Sequence, residues 1–352
     1  MLYKAPPLVM QADRIRDALG ERTLDDLPDP QPRHPARLAD STPLMERLWR
    51  IALHDIESNV VQTDTGQQYF GAGANFGARV YTRDISFAGV LGLTHLYPGI
   101  LQASLEVTRE LREELGFRVS SGYDVAEIPV DWKVDPVNEH EFMQAHRTNS
   151  YTRRTDDVIW LWPAERLAED NQGLEYWSWV CKTGTRFFEI FYDPFMDTDD
   201  KLFCGQASFV DIHFGDHKAT GYPSDMLMKD CVLLKALSTN CLYWRAMQTL
   251  VVACEEIGRE DDADRWEKRA RDLKHAIRRE FQRPDGTLAY YKDRIGQLAE
   301  RRDALGTALA VLFEIVPPDE AGAALADYPV TDAGVPLFHP FFEADTWYHN
   351  NT

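Results

Sequence analysis

The feature that most constrains the fold of this 352-residue chain is an alternation of two kinds of helical segment. Residues 84–97, 240–257 and 304–316 are apolar on nearly every side, whereas residues 100–115 and 262–281 carry one apolar stripe opposite many charges. A helix that is apolar all round must be buried all round, and a helix with one stripe covers a buried surface from outside. The alternation therefore predicts helical hairpins arranged in two concentric layers.

Other architectures fit the pattern less well. A β-rich or doubly wound fold needs repeated strands of Val, Ile and Thr, which the sequence does not contain. A superhelical solenoid is the competing all-α fold, but no fixed repeat period supports it. Residues 1–40 are rich in Pro and charge and are predicted to be an extended N-terminal arm, and residues 41–352 are predicted to form one partial catalytic domain. Its first helix is expected to begin at a cap formed by Ser41, Thr42 and Pro43.

Charge and cysteine content narrow the class of protein. The formal net charge of −19 repels phosphate backbones, so nucleic acid is not an expected partner. No apolar run approaches the roughly 18 residues of a membrane helix, and residues 1–19 lack the apolar core of a secretion signal. None of the five cysteines forms a C-x-x-C pair or accompanies a histidine cluster. We therefore expect a cytoplasmic protein with buried free thiols, no membrane partner, no metal site and no cofactor.

The first segment with chemical potential is residues 80–86, where Arg83 and Asp84 begin an apolar helix. Arginine only donates hydrogen bonds and an ionised aspartate only accepts them, so the two together can hold a sugar diol. The alternative is structural, with Asp84 as the N-cap of the helix and Arg83 in solvent.

The second segment, residues 154–163, places Asp156 and Asp157 before another apolar helix that contains Trp160. The pattern predicts polar ligands beside an aromatic platform on which a sugar ring can stack. The alternative is again a capping carboxylate followed by core tryptophans.

The third segment, residues 202–211, holds Gln206 and a carboxylate, Asp211, between aromatic residues, and Tyr222 follows a little later. A carboxyl group among apolar neighbours has a raised pKa and can act as a general acid near neutral pH. The alternative is that Asp211 is a turn or capping residue.

These segments occur in an order that resembles the six-hairpin glycosidases, and in particular bacterial enzymes similar to glycoside hydrolase family 63, which is related to trehalases and mannosylglycerate hydrolases. The resemblance covers about residues 44–352. It rests on Tyr-Thr-Arg-Asp-Ile-Ser (81–86), Thr-Asp-Asp-Val-Ile-Trp (155–160), Gly-Gln-Ala-Ser-Phe-Val-Asp (205–211), Tyr-Pro (222–223), Leu-Ser-Thr-Asn (237–240) and Arg-Asp-Ala-Leu-Gly (302–306).

The resemblance implies an all-α fold of the (α/α)6 toroid type and a carbohydrate substrate. In that group the general acid is an aspartate in the loop after the middle helices, and Asp211 matches it. Arg83 and Asp84 match the residues that hold the sugar at the subsite next to the cleaved bond. Gln206 departs from relatives that carry Glu at this position.

The end of the chain departs from the family as well. Residues 347–352, with His349 and Asn350, resemble a substrate-binding motif that in relatives continues into Trp-Pro and further helices. Periodicity indicates roughly eight or nine helices, fewer than six hairpins contain. The sequence thus predicts a barrel incomplete at its C-terminal end, which exposes helix faces and favours self-association. The resemblance implies a general base in the part of the enzyme beyond residue 352, with Glu343 as a stand-in. The alternative for Glu343 is an ordinary loop carboxylate that binds substrate.

The resemblance implies a glycoside hydrolase that acts on a small oligosaccharide or glycoside with inversion and without a metal. Its two catalytic carboxyl groups would lie about 6.5–9.5 Å apart. One alternative is a non-catalytic carbohydrate-binding or scaffold protein. Another is a sugar isomerase or epimerase, which would need histidines for proton transfer. The candidates for that role are His213, His217, His339 and His349.

Overall fold

A computed structural model describes residues 9–11, 14–17, 20–73, 77–116, 155–170, 173–193, 196–208, 221–223, 226, 234–331 and 334–342. The helices of this part are α1 (Pro43–Ser58), α2 (Thr82–Ala88), α3 (Pro98–Gly116), α4 (Asp156–Glu169), α5 (Gly173–Phe187), α6 (Leu237–Glu256), α7 (Glu260–Phe281), α8 (Ala304–Leu312) and α9 (Ala321–Leu325). The strands are β1 (Val9–Gln11), β2 (Arg14–Asp17), β3 (Gly20–Thr23), β4 (Val60–Gln62), β5 (Gln68–Phe70), β6 (Lys235–Ala236), β7 (Tyr291–Lys292), β8 (Arg302–Asp303) and β9 (Phe338–His339).

Local sequence accounts for several helix boundaries. The side chain of Thr42 accepts a hydrogen bond from the Met45 amide at the start of α1, and Pro43 occupies the first turn, so the predicted cap is confirmed. Helix α7 has acidic residues in its first turn and basic residues in its last turn, an arrangement that favours its dipole. Its buried stripe includes Trp266, Leu273 and Phe281, as the spacing predicts.

Four helices, α2, α4, α6 and α8, form an inner layer in chain order. Gly89, just after α2, lies against Pro163 of α4 so closely that a Cβ at Gly89 would be 2.8 Å from the proline Cβ. Further along the layer, Arg245 of α6 donates to Glu165 of α4 at 2.8 Å.

Helix α2 runs parallel to α4, because Gly89 also lies beside Leu101 of α3, and Arg109 further along α3 returns to Asp157 at the start of α4. Ser208 bonds both to Thr155, just before α4, and to Ser238 in the first turn of α6, and Asp303 at the start of α8 lies near enough to Cys241 of α6 to act on it electrostatically. The N-terminal ends of the four helices therefore meet at one end of the layer, which we call the rim.

Helices α5 and α7 pack outside this layer. Gly184 of α5 contacts Leu161 of α4 and Leu250 of α6. Three residues earlier along α5, Cys181 touches Cys254, which lies four residues later along α6. Helix α5 is thus antiparallel to α6, as expected for an outer helix in a layered hairpin. The predicted two-layer architecture is confirmed for the part of the chain that the structure describes.

The first two turns of α6 are completely buried, whereas α8 is exposed on one side. All residues from 237 to 243 at the start of α6 are buried. Helix α8 buries Leu309 and Ala310, whereas Leu312 is 64% exposed. Of the described helices, α6 and α9 pack against α8, so its remaining side is open in this part of the molecule.

Short strands precede two inner helices at the rim. Strand β6 leads into α6 and pairs with β7, and β8 leads into α8 and pairs with β9, both antiparallel. Strand β7 follows directly on the buried residues Leu288, Ala289 and Tyr290. A second apolar cluster lies under these strands and contains Tyr222, Tyr290 and Phe338 among others.

The N-terminal segment runs along α1. Strands β1, β2 and β3 form an antiparallel sheet, and Asp29 then forms an ion pair with Arg50 at 2.6 Å. Glu57 accepts hydrogen bonds from the backbone amides of Arg33 and His34. None of the helices in the described ranges is both long and apolar enough to span a bilayer.

Candidate functional site

The rim brings together three of the segments that the sequence singled out. The Thr155 hydroxyl, just before α4, lies 2.7 Å from the Ser208 hydroxyl. The Ser208 amide in turn donates to the hydroxyl of Ser238, in the first turn of α6, at 3.1 Å. All three residues are buried. The segments around residues 155–160, 205–208 and 237–240 therefore meet, as their order along the chain predicts for inner-helix N-termini.

The backbone of residues 203–207 is fastened to α6 and to Tyr222. The side chain of Asn240 accepts from the Phe203 amide at 2.8 Å and donates to the Phe203 carbonyl at 3.1 Å. The Thr239 hydroxyl donates to the Gln206 carbonyl. The Ala207 amide donates to the Tyr222 hydroxyl at 3.0 Å. This bond bridges the two sides of residues 209–220, so both flanks of the segment that carries the predicted general acid are held at the rim.

Gln206 stands out in this loop because its side chain is buried and incompletely hydrogen-bonded. The residue is 2% exposed. Within the part of the chain that the structure describes, no group accepts a hydrogen bond from Gln206 Nε2. A buried donor without a partner costs about 1–3 kcal/mol, so such groups are rare unless a ligand or water completes them. The oxygen of a bound hydroxyl group would satisfy this donor.

A charge network anchors the start of the same loop. Lys235 Nζ lies 2.5 Å from Asp197 Oδ2 and 2.6 Å from Asp200 Oδ2. Lys292 Nζ contacts Asp200 at 3.0 Å and Glu280 at 2.7 Å. Burial alone would lower the pKa of Lys235, but the hydrogen bonds to the two aspartates outweigh it and raise that pKa. The lysines therefore stay charged and tie the loop to β6, β7 and α7.

Asp157 lies inside the protein, where both its carboxylate oxygens accept hydrogen bonds. Oδ1 is 2.9 Å from Arg109 Nη1, and Oδ2 accepts from the Tyr192 hydroxyl at 3.0 Å. The Arg109 guanidinium also lies over the rings of Trp160 and Phe187, at 5.0 Å and 4.9 Å from the ring centres. This ion pair joins α3, α4 and the end of α5 just below the rim.

Trp160, the predicted stacking platform, is fully buried. Its Nε1 donates to the Leu105 carbonyl at 3.3 Å, and its ring meets Trp179 edge to face with 5.0 Å between centres. Stacking on a sugar requires an exposed ring face, and the enclosed ring of Trp160 offers none in this structure. Asp156 begins α4, and its side chain lies outside the described residues.

Arg83 and Asp84 begin α2 at the rim but differ in burial. Arg83 is 6% exposed, although it is charged, whereas the side chain of Asp84 is 55% exposed. The Arg83 Nε and Asp84 Oδ2 atoms are 3.9 Å apart. The N-cap of α2 is Tyr81, so the alternative that made Asp84 the N-cap is wrong.

Asp303 is a buried carboxyl group at the rim to which the sequence assigned no role. As the N-cap of α8 it accepts the Gly306 amide on Oδ2 at 2.7 Å. Its Oδ1 has no hydrogen-bond partner among the described residues. Burial raises the pKa of Asp303 to about 7, against the opposing effect of the Gly306 hydrogen bond. The preceding residue, Arg302, donates to the carbonyls of Ala324 and Ala326.

The remaining predicted site residues, Asp211, Glu343, His349 and Asn350, lie outside the described residues, as do His213 and His217. Their roles stay predictions. His339 lies in β9 opposite Arg302. Across the described ranges, no three potential metal ligands come together.

Arg109, Tyr192 and the hydroxyl groups of Thr155, Ser208 and Ser238 are site residues that were not predicted from the sequence. A signal for Arg109 was available, because it continues the spacing of Leu101 and Leu105 by four residues and therefore replaces an apolar residue on the buried stripe. The hydroxyl residues carry no comparable local signal.

Residues 223–332 match the bacterial alpha-L-rhamnosidase 6 hairpin glycosidase domain. No curated protein matches the chain in sequence. The neutral trehalase of Saccharomyces cerevisiae superposes with a TM-score of 0.50 and 10% identity, over 79% of this chain and 60% of the trehalase.

Two further solved structures are similar at lower scores. The GH78 family rhamnosidase of Bacillus sp. GL1 has a TM-score of 0.48 and 13% identity, over 72% of this chain. The chain spans only 23% of that rhamnosidase. A sugar epimerase from a ruminal bacterium has a TM-score of 0.48 and 13% identity, over 88% of this chain and 75% of the epimerase.

At 10% identity the trehalase superposition shows the fold alone, and the matched glycosidase domain lies across α6, α7 and α8. Together with the two layers of helices, these findings give one conclusion. The chain has the (α/α)6 fold of the six-hairpin glycosidases.

Proposed function

We propose that this protein is a glycoside hydrolase that cleaves a small oligosaccharide or glycoside with inversion, using Asp211 as the general acid. The observation that carries the proposal is the fastening of residues 203–207 and Tyr222 at the rim. These anchors flank residues 209–220, so the described residues on both sides of the segment that contains Asp211 lie where the inner helices begin. In a layered barrel the loops at one end line the pocket, and loops on a rigid frame commonly hold functional residues.

In the proposed reaction Asp211 donates its proton to the leaving glycosidic oxygen as the bond from that oxygen to the sugar carbon breaks. A second carboxylate removes a proton from a water molecule, and the water oxygen attacks the same carbon from the opposite face. The two carboxyl groups would lie about 6.5–9.5 Å apart, which leaves room for the water. Glu343 is our candidate for the second carboxylate.

Other rim residues would hold the substrate. Gln206 supplies a buried donor that suits a sugar hydroxyl, since no described group accepts from its Nε2. The net charge of −19 favours neutral sugars over anionic substrates. The residues that we assign to substrate binding are Arg83, Asp84, Asp156, Gln206, Tyr222, His349 and Asn350. Asp157 and Trp160, which are buried and bonded within the protein, would support these residues from below the rim.

A screen of aryl-glycosides and neutral disaccharides tests the proposal, followed by a comparison of Asp211→Asn with wild type on the best substrate. Loss of the general acid should lower the rate by on the order of 100- to 10,000-fold and leave binding measurable by calorimetry. Asp216→Asn, in the same segment, is the matched control and should keep its activity. Full activity in Asp211→Asn, or an equal loss in both variants, would remove Asp211 from this role.

The anomer released first, followed by NMR, tests inversion. Release of the retained anomer would contradict the inverting mechanism. Recovery of an isomer with the mass of the intact substrate would favour the epimerase alternative, and binding without turnover would favour a carbohydrate-binding protein.

A cytoplasmic location is also part of the proposal. It is supported by the four described cysteines, which are buried free thiols.

A further inference from the structure

Two buried thiols touch each other at the end of α6 that lies away from the rim. Cys181 lies in α5, and Cys254 lies in the last turn of α6. Their sulfur atoms are 3.3 Å apart, and both side chains are fully buried. We call these two residues the thiol pair. A disulfide has a sulfur–sulfur bond of about 2.05 Å, so the sulfurs need to approach by about 1.3 Å to form one.

The surroundings of the thiol pair favour a reactive sulfur on Cys181. The hydrogen bond from Cys254 is the main cause that lowers the pKa of Cys181 to about 7, with help from Arg259 and Thr185. The same interaction raises the pKa of Cys254. The thiolate is the form of cysteine that reacts with oxidants, so Cys181 is the better nucleophile of the two.

The pair also lies close to the surface, although its side chains are covered. The Arg259 amide donates to the Cys254 carbonyl at 2.8 Å, in the turn that joins α6 to α7. Gly258 and Arg259 in this turn are exposed. A small opening of the turn would therefore admit a small oxidant to Cys181.

We propose that Cys181 and Cys254 form a reversible disulfide when the protein meets a small peroxide. The Cys181 thiolate attacks one peroxide oxygen, so a sulfur–oxygen bond forms, the oxygen–oxygen bond breaks and hydroxide leaves, to be protonated to water. The Cys254 sulfur then attacks the Cys181 sulfur and loses its proton. The new sulfur–oxygen bond breaks and releases a second water. The two thiols lose two electrons, and the peroxide gains them.

The other described thiols are placed where they cannot take this role. Cys241 precedes Cys254 by thirteen residues on the same helix, which at about 1.5 Å per residue separates the two by roughly 20 Å. Cys204 lies in the rim loop, close to Lys235. Among the four described thiols, the bond should therefore be specific to the thiol pair.

The bond would tie an outer helix to an inner helix and close the chain between residues 181 and 254. That stretch includes the rim loop and Asp211. Closing a long loop restricts the unfolded chain and stabilises the folded state. The inference does not depend on the proposed glycosidase activity, because both sulfurs lie in the helical frame.

The test exposes the folded protein to hydrogen peroxide, blocks the remaining thiols by alkylation and maps the peptides by mass spectrometry. We expect the peptides that contain Cys181 and Cys254 to be joined, with the loss of two hydrogen atoms. Dithiothreitol should reverse the link, and the oxidised protein should melt several degrees higher than the reduced protein.

Cysteine variants identify the two partners. Cys254→Ser should leave a sulfenic acid on Cys181 that dimedone traps, and Cys181→Ser should form no link. Cys241→Ser is the matched control and should still form it. The inference is overturned if Cys181 and Cys254 of wild type stay open to alkylation after unfolding, if Cys181 becomes a sulfinic acid without a link, or if the link involves Cys204 or Cys241. The wild-type peptide map decides the question even if a serine variant does not fold.

Discussion

The rim and the helical frame bury their residues for different reasons. In the frame, α6 and α7 meet through apolar side chains such as Trp266 and Leu273, and Gly184 allows α5 to approach α4 and α6 closely. At the rim, buried residues such as Ser208 and Asn240 make hydrogen bonds between side chains and loop backbone. The stability of the frame therefore depends on how well side-chain volumes fit together, whereas the stability of the rim depends on whether each buried polar group keeps its hydrogen-bond partner.

The difference has an energetic consequence. A buried apolar residue tolerates substitution by another of similar volume, but a buried polar residue is costly as soon as its partner is lost. A fold keeps such residues where their positions matter for chemistry, and this molecule has Gln206 and Asp303 at the rim and Asp157 just below it.

The largest effect is expected from removing the partner of the buried ion pair below the rim. Asp157→Ala removes the carboxylate that lies 2.9 Å from the buried Arg109 guanidinium in wild type. We expect a loss of about 3–5 kcal/mol in the free energy of unfolding, measured by urea denaturation. Asp157→Asn, which can still accept the Tyr192 hydroxyl, should lose less. Equal stability of Asp157→Ala and wild type would show that the ion pair between Asp157 and Arg109 does not stabilise the fold.

A pH-dependent effect is expected from Asp303. Its pKa is raised from 3.8 to about 7, so the folded state holds a proton that the unfolded state releases. The contribution of this group to stability is complete below pH 3.8 and is lost as the pH rises to about 7. Asp303→Asn keeps a capping oxygen and cannot ionise. Relative to wild type, the variant should gain up to about 4 kcal/mol between pH 4 and pH 8.

Denaturation of both proteins across this pH range measures that gain, and the difference between them cancels the other titrating groups. A difference that stays constant with pH would contradict a raised pKa at Asp303.

In the frame, stability should instead fall when a substitution adds side-chain volume at a closely packed position. Gly184→Ala places a methyl group 2.8 Å from Leu161 and Leu250 and should cost about 1–3 kcal/mol through overpacking. Gly99→Ala is the matched control, because no heavy atom lies within 4 Å of its added Cβ. It should be neutral or slightly stabilising. Thermal unfolding measures the difference in melting temperature between the two variants. Equal melting temperatures would contradict the prediction that packing at Gly184 limits side-chain volume.

The smallest effect is expected on the solvent side of the frame. Asp272 pairs with Lys268 at 2.9 Å across one helical turn, and both side chains are about half exposed or more. Asp272→Asn should change the free energy of unfolding by no more than about 0.5 kcal/mol, and salt should reduce the change further. A loss as large as that of Asp157→Ala would mean that exposure does not separate the two kinds of ion pair.

The helical frame could be predicted from the sequence because periodicity reports burial directly. The stripe from Trp266 to Phe281 and the cap at Thr42 both appear as expected. The predicted helix over residues 84–97 is instead α2, a π-helical turn at Gly89–Leu93 and a single turn at Thr94–Leu96. Its apolar pattern is continuous, but Gly92 interrupts the helical backbone, which side-chain periodicity does not reveal.

The candidate site could be predicted only in part. The segments that meet at the rim were recognised by their order, but their pairing was not, because Thr155 and Ser208 lie far apart in sequence and nothing local links them. For the same reason Asp157 was assigned to substrate alone, although Arg109 and Tyr192 occupy its two oxygens. Asp211 stays a prediction because it lies outside the described residues.

Strand β8 has a mechanical consequence for the molecule. Its two residues serve different helices, since Arg302 holds the carboxyl end of α9 and Asp303 holds the amino end of α8. A displacement of β8 would therefore break these hydrogen bonds unless both helices moved with the strand. Opening the rim at this position would require α8 and α9 to move as one body.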